Sequence, residues 1–366
     1  MNRRDFLVSV AASALATRLA RGAAPAPEPF LAGADVSLLQ KIEGLAGTYK
    51  EAGKPRDLLA ILKGHDATYM RLRLFHTPDG KGPVCNDLAY TLKLARRIKA
   101  AGLHLVLDIH YSDTWADPQH QTTPKAWRDL APAKLEDAVF AYTRETLAAM
   151  KAADALPEIV QVGNEITPGF LWDTGRVGGK FDTPEQWQRL GALVRAGLGG
   201  VREAGGAGVR TMIHIDPGGS AAVTRWFFDH LAAEKAEFDL IGLSFYPWWH
   251  GSFDDLRANL AATAARYRKD IVVVETGYPW TRERGGLFNG DPAKLKTPYP
   301  PTPDGQRDFL AELLKIVRST PDGHGRGVLY WAPEWIAVKG MDSPYQNLAL
   351  FDFEGNALPG IKAFEG

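Results

Sequence analysis

A single cysteine, Cys85, in 366 residues excludes an intrachain disulfide and any cluster of thiolate metal ligands. It reads as a small buried or loop residue. An excess of one charge is also missing, because Lys plus Arg and Asp plus Glu both number 43. With no net field, nothing favours nucleic acid, an anionic membrane or a polyacid, and the balance points to a neutral ligand. The nine histidines include no His-Glu-x-x-His and no cysteine–histidine spacing, so a zinc hydrolase has no visible ligands. The run Gly242-Leu243-Ser244-Phe245-Tyr246 lacks the second glycine of a nucleophile elbow. Gly205, Gly206 and Gly208 precede a strand rather than join a strand to a helix, so a dinucleotide fingerprint is absent.

No apolar run is long enough to cross a bilayer. The opening Asn2-Arg3-Arg4-Asp5-Phe6-Leu7 and the modest apolar stretch 8–16 resemble a twin-arginine export signal. Small residues up to Ala24, followed by Pro25-Ala26-Pro27, could hold a cleavage site. Residues 1–28 are therefore expected to be signal and short linker, and 29–366 the folded domain, exported to the periplasm or beyond.

What is present is a regular alternation. Strand-like runs occupy 31–36, 69–75, 103–110, 158–162, 210–215, 240–246, 271–275 and 327–332. Helical patterns lie between them. One spans 86–101, with Leu88, Leu92, Ala95 and Ile98 on one face, Asn86 as the expected cap and Gly102 as the stop. Another starts at Thr183-Pro184-Glu185-Gln186, a capping box with proline at the first helical position. Strict alternation implies a parallel sheet. Eight repeats, an apolar fraction of 45% and no low-complexity linker predict one domain, a single (β/α)8 TIM barrel.

Barrel active sites are built from the C-terminal ends of strands and the loops after them. Two such ends carry a glutamate, in Gly163-Asn164-Glu165 and Glu275-Thr276-Gly277, where a carboxylate is costly to desolvate unless partners or chemistry require it. Six of the ten tryptophans fall in the strand tails: Trp115, Trp248, Trp249, Trp280, Trp331 and Trp335. Indole faces at a barrel mouth offer platforms for sugar rings. Two carboxylates in a neutral, aromatic cleft fit glycoside hydrolysis. Glu165 is expected to be the general acid/base, with a raised pKa. Glu275 is expected to be the nucleophile, kept ionised by hydrogen bonds and a nearby cation, for which Arg71 is the best candidate. Strands four and seven can set the two carboxyls at the roughly 5–5.5 Å of a retaining enzyme.

The stretches Gly33-Ala34-Asp35-Val36-Ser37, Asp108-Ile109-His110-Tyr111-Ser112-Asp113-Thr114-Trp115-Ala116-Asp117-Pro118, Gln161-Val162-Gly163-Asn164-Glu165, Ile241-Gly242-Leu243-Ser244-Phe245-Tyr246-Pro247, Val273-Val274-Glu275-Thr276 and Leu350-Phe351-Asp352-Phe353 resemble family 53 glycoside hydrolases, the arabinogalactan endo-β-1,4-galactanases. The third-strand motif is the most specific, whereas Asn-Glu is shared by a whole clan of barrel glycosidases. The resemblance implies an endo-acting retaining hydrolase of β-1,4-galactan, the side chain of type I arabinogalactan and pectin, that needs no cofactor and acts as a monomer on a polysaccharide. It implies Glu165 as acid/base and Glu275 as nucleophile. It also implies Asn164 on the sugar 2-hydroxyl, Tyr246 orienting the nucleophile, Trp331 under the cleaved sugar, and Arg71 and His110 supporting the carboxylates. Asp113, Trp115 and Trp249 complete the expected substrate-binding set. Thr167 and Gly277 depart from the family pattern, the latter standing where alanine is common. A structural calcium occurs in bacterial members, but segment 281–303 has no dense carboxylate cluster to hold one.

Several residues keep two readings. His110 and His214 read either as site groups or as satisfied buried imidazoles. Asp216 reads as a cap or loop brace, and Arg73 either lies beside Arg71 or pairs with an acid deeper in the barrel. Of Trp248 and Trp249, one is expected to pack and the other to be displayed. Two other functions stay open: a barrel hydrolase of mannan or xylan, and a non-catalytic sugar-binding barrel.

Overall fold

The structure, a computed structural model, describes residues 30–286, 288 and 291–365. The expected export signal lies outside the described residues. Eight parallel strands close into a barrel: β1 (Leu31–Asp35), β2 (Tyr69–Leu74), β3 (His104–Ile109), β4 (Ile159–Val162), β5 (Arg210–Ile215), β6 (Leu240–Phe245), β7 (Asp270–Thr276) and β8 (Gly325–Trp331). Each pairs with the next in sequence, and β1 pairs with both β2 and β8. The expected (β/α)8 barrel is therefore the fold. Two short antiparallel hairpins, Lys50–Glu51 with Lys54–Pro55 and Gly169–Phe170 with Gly175–Arg176, decorate it.

Period-two geometry sets what fills the barrel. Leu31, Tyr69, Val106, Ile159, Met212, Leu240, Val272, Val274 and Leu329 form one buried cluster that draws on every strand. Each large apolar side chain taken from water there contributes roughly 1.5–3 kcal/mol. Side chains alternate across a strand, so the residue two positions further on faces the same way. That step gives Arg71, Asp108, Gln161 and His214 on β2 to β5, with Gly33, Gly242 and Trp331 on β1, β6 and β8. The barrel thus carries an apolar layer under a polar one, and the polar layer is buried as well.

Strand β7 breaks the rule. Alternation from Val272 and Val274 would turn Glu275 away from the interior. Between Leu243 and Ser244 of β6 the register against β7 slips, so that Leu243 pairs with Val273 but Ser244 pairs with Glu275. A matching irregularity faces β8. An extra residue in one strand of a pair bends it and re-aims the side chains beyond, and this bulge brings Glu275 to the polar layer.

The helices follow their caps. Helix Leu88–Ala100 is capped by Asp87, whose side chain accepts from the Tyr90 N–H. The expected cap, Asn86, is instead buried and donates to the Ser37 carbonyl at 2.7 Å, because its amide is needed between two loops and the acid one residue later is free. Helix Pro184–Gly205 starts as expected at Thr183, which accepts from Gln186 N–H. Gln186 does not close the capping box. Its amide turns to the carbonyls of Asp173 and Arg176 at 3.1 and 2.7 Å and ties down the loop after β4.

Candidate active site

The polar layer is organised around one cation. Arg71 is 1% exposed and donates to Asp35 Oδ2 at 2.9 Å, Asp108 Oδ2 at 2.8 Å and Asn164 Oδ1 at 2.8 Å. Its Nη1 also lies 3.6 Å from Glu275 Oε2. A guanidinium presents five N–H donors in a fixed fork, which suits it to hold several acceptors in one plane. Burial opposes its charge, but Asp108, Asp35 and Glu275 together more than offset that, so it stays protonated.

Glu275 is reached by two groups that favour its ionised form, Arg71 and Tyr246, whose hydroxyl donates to Oε1 at 2.9 Å. Burial nevertheless outweighs them, and with Asp35 and Asp108 adding negative charge the carboxyl is pushed up to about 7. The expected cation and hydrogen bond are both at Glu275, but Arg71 shares its charge among three carboxylates and is nearest the other two.

Glu165 sits past the end of β4 with φ at +47°, in the left-handed region where non-glycine residues are uncommon. Gly163, with φ at +82°, makes that path possible, since a Cβ there would lie 2.6 Å from Ile166 Cγ2. Burial, then the charges of Glu275 and Asp216, push the Glu165 carboxyl well above its usual range. Asp216 is fixed by the Thr167 hydroxyl, which bonds its carboxylate and accepts from its N–H at 3.2 Å. Asp216 is thus a loop brace, and the unexpected Thr167 places a charge that acts on Glu165.

A relay reaches the same acid from below. His214 is fully buried, and desolvation first, then Arg71 and His110, hold it neutral. Its Nδ1 is met by Asn164 Oδ1 at 3.0 Å, the Gln161 amide at 3.1 Å and the Glu165 N–H at 3.4 Å. Nε2 lies 2.9 Å from Ser244 Oγ, and that hydroxyl lies 2.6 Å from Glu165 Oε1. One carboxylate oxygen each from Glu165 and Glu275 and one ring nitrogen of His214 all fall within 4.8 Å of one another. Calcium takes six to eight oxygens. Two carboxylates already bonded by Ser244 and Tyr246, plus an imidazole, do not fit it.

Most of the expected site residues converge here. Asn164 Nδ2 spends one N–H on the Ala116 carbonyl at 2.8 Å and keeps the other. His110 bonds Asp108 through Nε2 at 2.9 Å and accepts the Ala116 N–H on Nδ1 at 3.0 Å, so it locks the third-strand loop to the Arg71 cluster. Trp115 and Trp331 lie edge to face at 5.9 Å. Trp249 is 55% exposed at the mouth while Trp248 packs on Phe288, which divides the pair as expected. Trp335 is buried and stacks behind Trp115 at 6.3 Å, and Trp280 is tied to the Gln346 carbonyl. These two are supports rather than platforms. Arg73 lies 4.1 Å from the Trp115 ring and 3.9 Å from Asp35 Oδ1. Asp113 is not drawn into the cluster: its two oxygens accept the Thr77 and Lys125 N–H groups. Sequence reasoning did not single out Asp35, Asp108, Gln161 or Ser244. The signal was there in the two-residue step from the apolar layer into polar residues on buried strands.

The sequence pattern described as glycosyl hydrolase family 53 matches residues 31–364. A Niallia circulans protein, described as an uncharacterized protein in the bgaB 5′ region, is 47% identical over 92% of this chain and 94% of its own length. The arabinogalactan endo-beta-1,4-galactanase of Cellvibrio japonicus is 33% identical over 92% and 91%. The solved GH53 catalytic domain of Ignisphaera aggregans superposes with a TM-score of 0.86 at 35% identity, covering 93% of this chain and 96% of that one. This chain belongs to glycosyl hydrolase family 53.

Proposed function

We propose that the protein is an endo-acting retaining hydrolase of β-1,4-galactosidic bonds in type I arabinogalactan and pectic galactan. The observation that carries the mechanism is the close approach of the two carboxylates, with oxygens of Glu165 and Glu275 within 4.8 Å. That leaves no room for a water between them and the sugar, as an inverting enzyme needs, and suits direct attack by one carboxylate. Their environments separate the roles. Glu275, the weaker proton holder, has Arg71 and Tyr246 to favour its anion. Glu165, held well above its usual range, keeps a proton to give.

In the first step Glu275 attacks the anomeric carbon as Glu165 protonates the glycosidic oxygen. The bond to the leaving chain breaks and a glycosyl ester forms on Glu275. The ester neutralises Glu275 and removes the largest charge that holds Glu165 protonated, so Glu165 is then fit to act as base. It takes a proton from water as that water attacks the same carbon. The ester breaks, Glu275 is released as carboxylate, and two inversions leave the configuration retained. The free Asn164 N–H would meet the 2-hydroxyl, and Trp331, Trp115 and Trp249 would carry sugar rings. His110 acts by holding Asp108 and the third-strand loop, and Asp113 by bracing the loops that shape the cleft.

Substrate choice is supported by the galactanase relative from Cellvibrio japonicus and is tested by reducing-sugar release across galactan, mannan and xylan. Release from galactan is expected, with internal cuts that lower viscosity early. Release from mannan or xylan alone would overturn the assignment. Glu165→Gln and Glu275→Gln should each lower kcat by roughly two or more decades, whereas a sugar-binding barrel would have no activity to lose. The same reading takes Arg3-Arg4 and the short apolar stretch after it as a twin-arginine export signal for a monomeric periplasmic or extracellular enzyme. Among the described residues no helix is long and apolar enough to cross a membrane.

A further inference from the structure

Tyr345, in the loop after β8, is fully buried; its hydroxyl interacts with the Tyr246 side chain but makes no hydrogen bond of good geometry. The ring is not loosely placed. It stands edge-on to Trp331 with centroids 4.5 Å apart and planes at 82°. Its backbone N–H donates to Ser343 Oγ at 3.1 Å, and Ser343 in turn donates to the Trp335 carbonyl at 2.6 Å. A buried hydroxyl held short of good hydrogen-bond geometry gives up part of that bond's free energy, so its position calls for a reason beyond filling space.

Gly277 supplies one. A Cβ added there would lie 2.0 Å from the Tyr345 hydroxyl oxygen, 3.1 Å from its Cζ and 3.3 Å from Cε1 of Tyr246. The backbone of Gly277 is outside the left-handed region, so its φ places no bar on alanine. What excludes a methyl is the phenol tip already in its place, and that tip borders the ring of the tyrosine that donates to Glu275. The residue needs no side chain because another residue's side chain fills its space.

We propose that Tyr345 and Gly277 form a matched pair in which the Tyr345 hydroxyl wedges Tyr246 against Glu275, making Tyr345 a positioning residue for the nucleophile. The proposal rests on the reading of Glu275 as nucleophile. Without the tip, the Tyr246 ring has an empty methyl-sized space to lean into, and its hydroxyl leaves the geometry that orients Glu275. The contact with Trp331 joins the same wedge to a sugar platform. A methyl on residue 277 would do the wedge's work only when the phenol tip is gone.

The test is a double-mutant cycle on the full enzyme, with kcat, KM on galactan and Tm measured for Tyr345→Phe, Gly277→Ala and the double variant. Tyr345→Phe should lower kcat about tenfold with KM within about twofold, since the loss falls on the chemical step. Gly277→Ala should lower kcat by about 30-fold, because methyl and hydroxyl cannot share one space. The double variant should recover to within about threefold of the parent, a strong departure from additivity. A parental kcat for Tyr345→Phe, or a double variant no better than either single, would overturn the proposal. Should Tyr345→Phe fail to fold, Gly277→Ala alone decides: parental kcat overturns it, and loss of kcat at unchanged Tm supports it. Glu275→Gln measured alongside separates the two readings, because full activity in that variant refutes Glu275 as nucleophile whatever the cycle returns.

Discussion

Ser244 Oγ lies 2.6 Å from Glu165 Oε1, joining β6 to the end of β4 across the intervening β5. This hydroxyl favours the charged form of Glu165, while burial and the charges of Glu275 and Asp216 oppose it. Ser244→Ala should therefore raise the Glu165 pKa further. The alkaline limb of kcat/KM, where the acid loses its proton, moves to higher pH, and kcat falls severalfold as deglycosylation loses its base. A pH–rate profile checks this, and an alkaline limb that moves down would contradict it.

Arg71 favours the Glu275 anion, and its removal should move the acid limb upward from its expected place near 7. Arg71→Met also leaves Asp35 and Asp108 buried without the cation that bridges them. Breaking a buried pair by deleting one partner costs roughly 3–5 kcal/mol. Urea unfolding and a pH–rate profile of the same variant read the two effects separately.

Glu334 tests the electrostatics away from the reacting atoms. It is fully buried, accepts the Leu38 N–H at 2.9 Å, and burial with the nearby Asp35 raises its carboxyl from 4.5 to about 8. The folded state therefore binds this proton more tightly than the unfolded state, so stability falls as pH rises from the unfolded value through about 8. Glu334→Gln keeps the acceptor and removes the titration. Its Tm should match the parent at pH 5 and exceed it by about 2–4 °C at pH 8.5; equal curves at both pH values would refute the shift.

Gly163 tests the turn that aims Glu165. Alanine there meets both the positive φ and the Ile166 methyl at 2.6 Å. Gly163→Ala should cost roughly 1–3 kcal/mol in stability and, through displacement of Glu165, ten- to hundredfold in kcat. Thermal unfolding and steady-state kinetics check both; parental kcat would show that the turn does not set the acid.

The barrel was legible because eight largely apolar runs alternate with capped helical segments, and burial on both faces permits little else. The glutamates and tryptophans were legible because strand ends are where a barrel does chemistry. What alternation alone misreads is Glu275, since it would turn this side chain outward and only the bulge opposite Ser244 brings it in. Asp35, Asp108, Gln161 and Ser244 went unseen for a different reason. Each is one polar residue within an apolar strand, and its partners come from other strands, so its role exists only once the barrel closes. The shared charge of Arg71 was hidden in the same way, and with it the upward shift of Glu275.

Retention through a Glu275 ester is the centre of the account, and proton NMR of galactan digestion at early times tests it most directly. Newly formed reducing ends should appear first as the β-anomer and only later mutarotate to the equilibrium mixture. A first-formed α-anomer would contradict double displacement, and with it the roles given to Glu165 and Glu275.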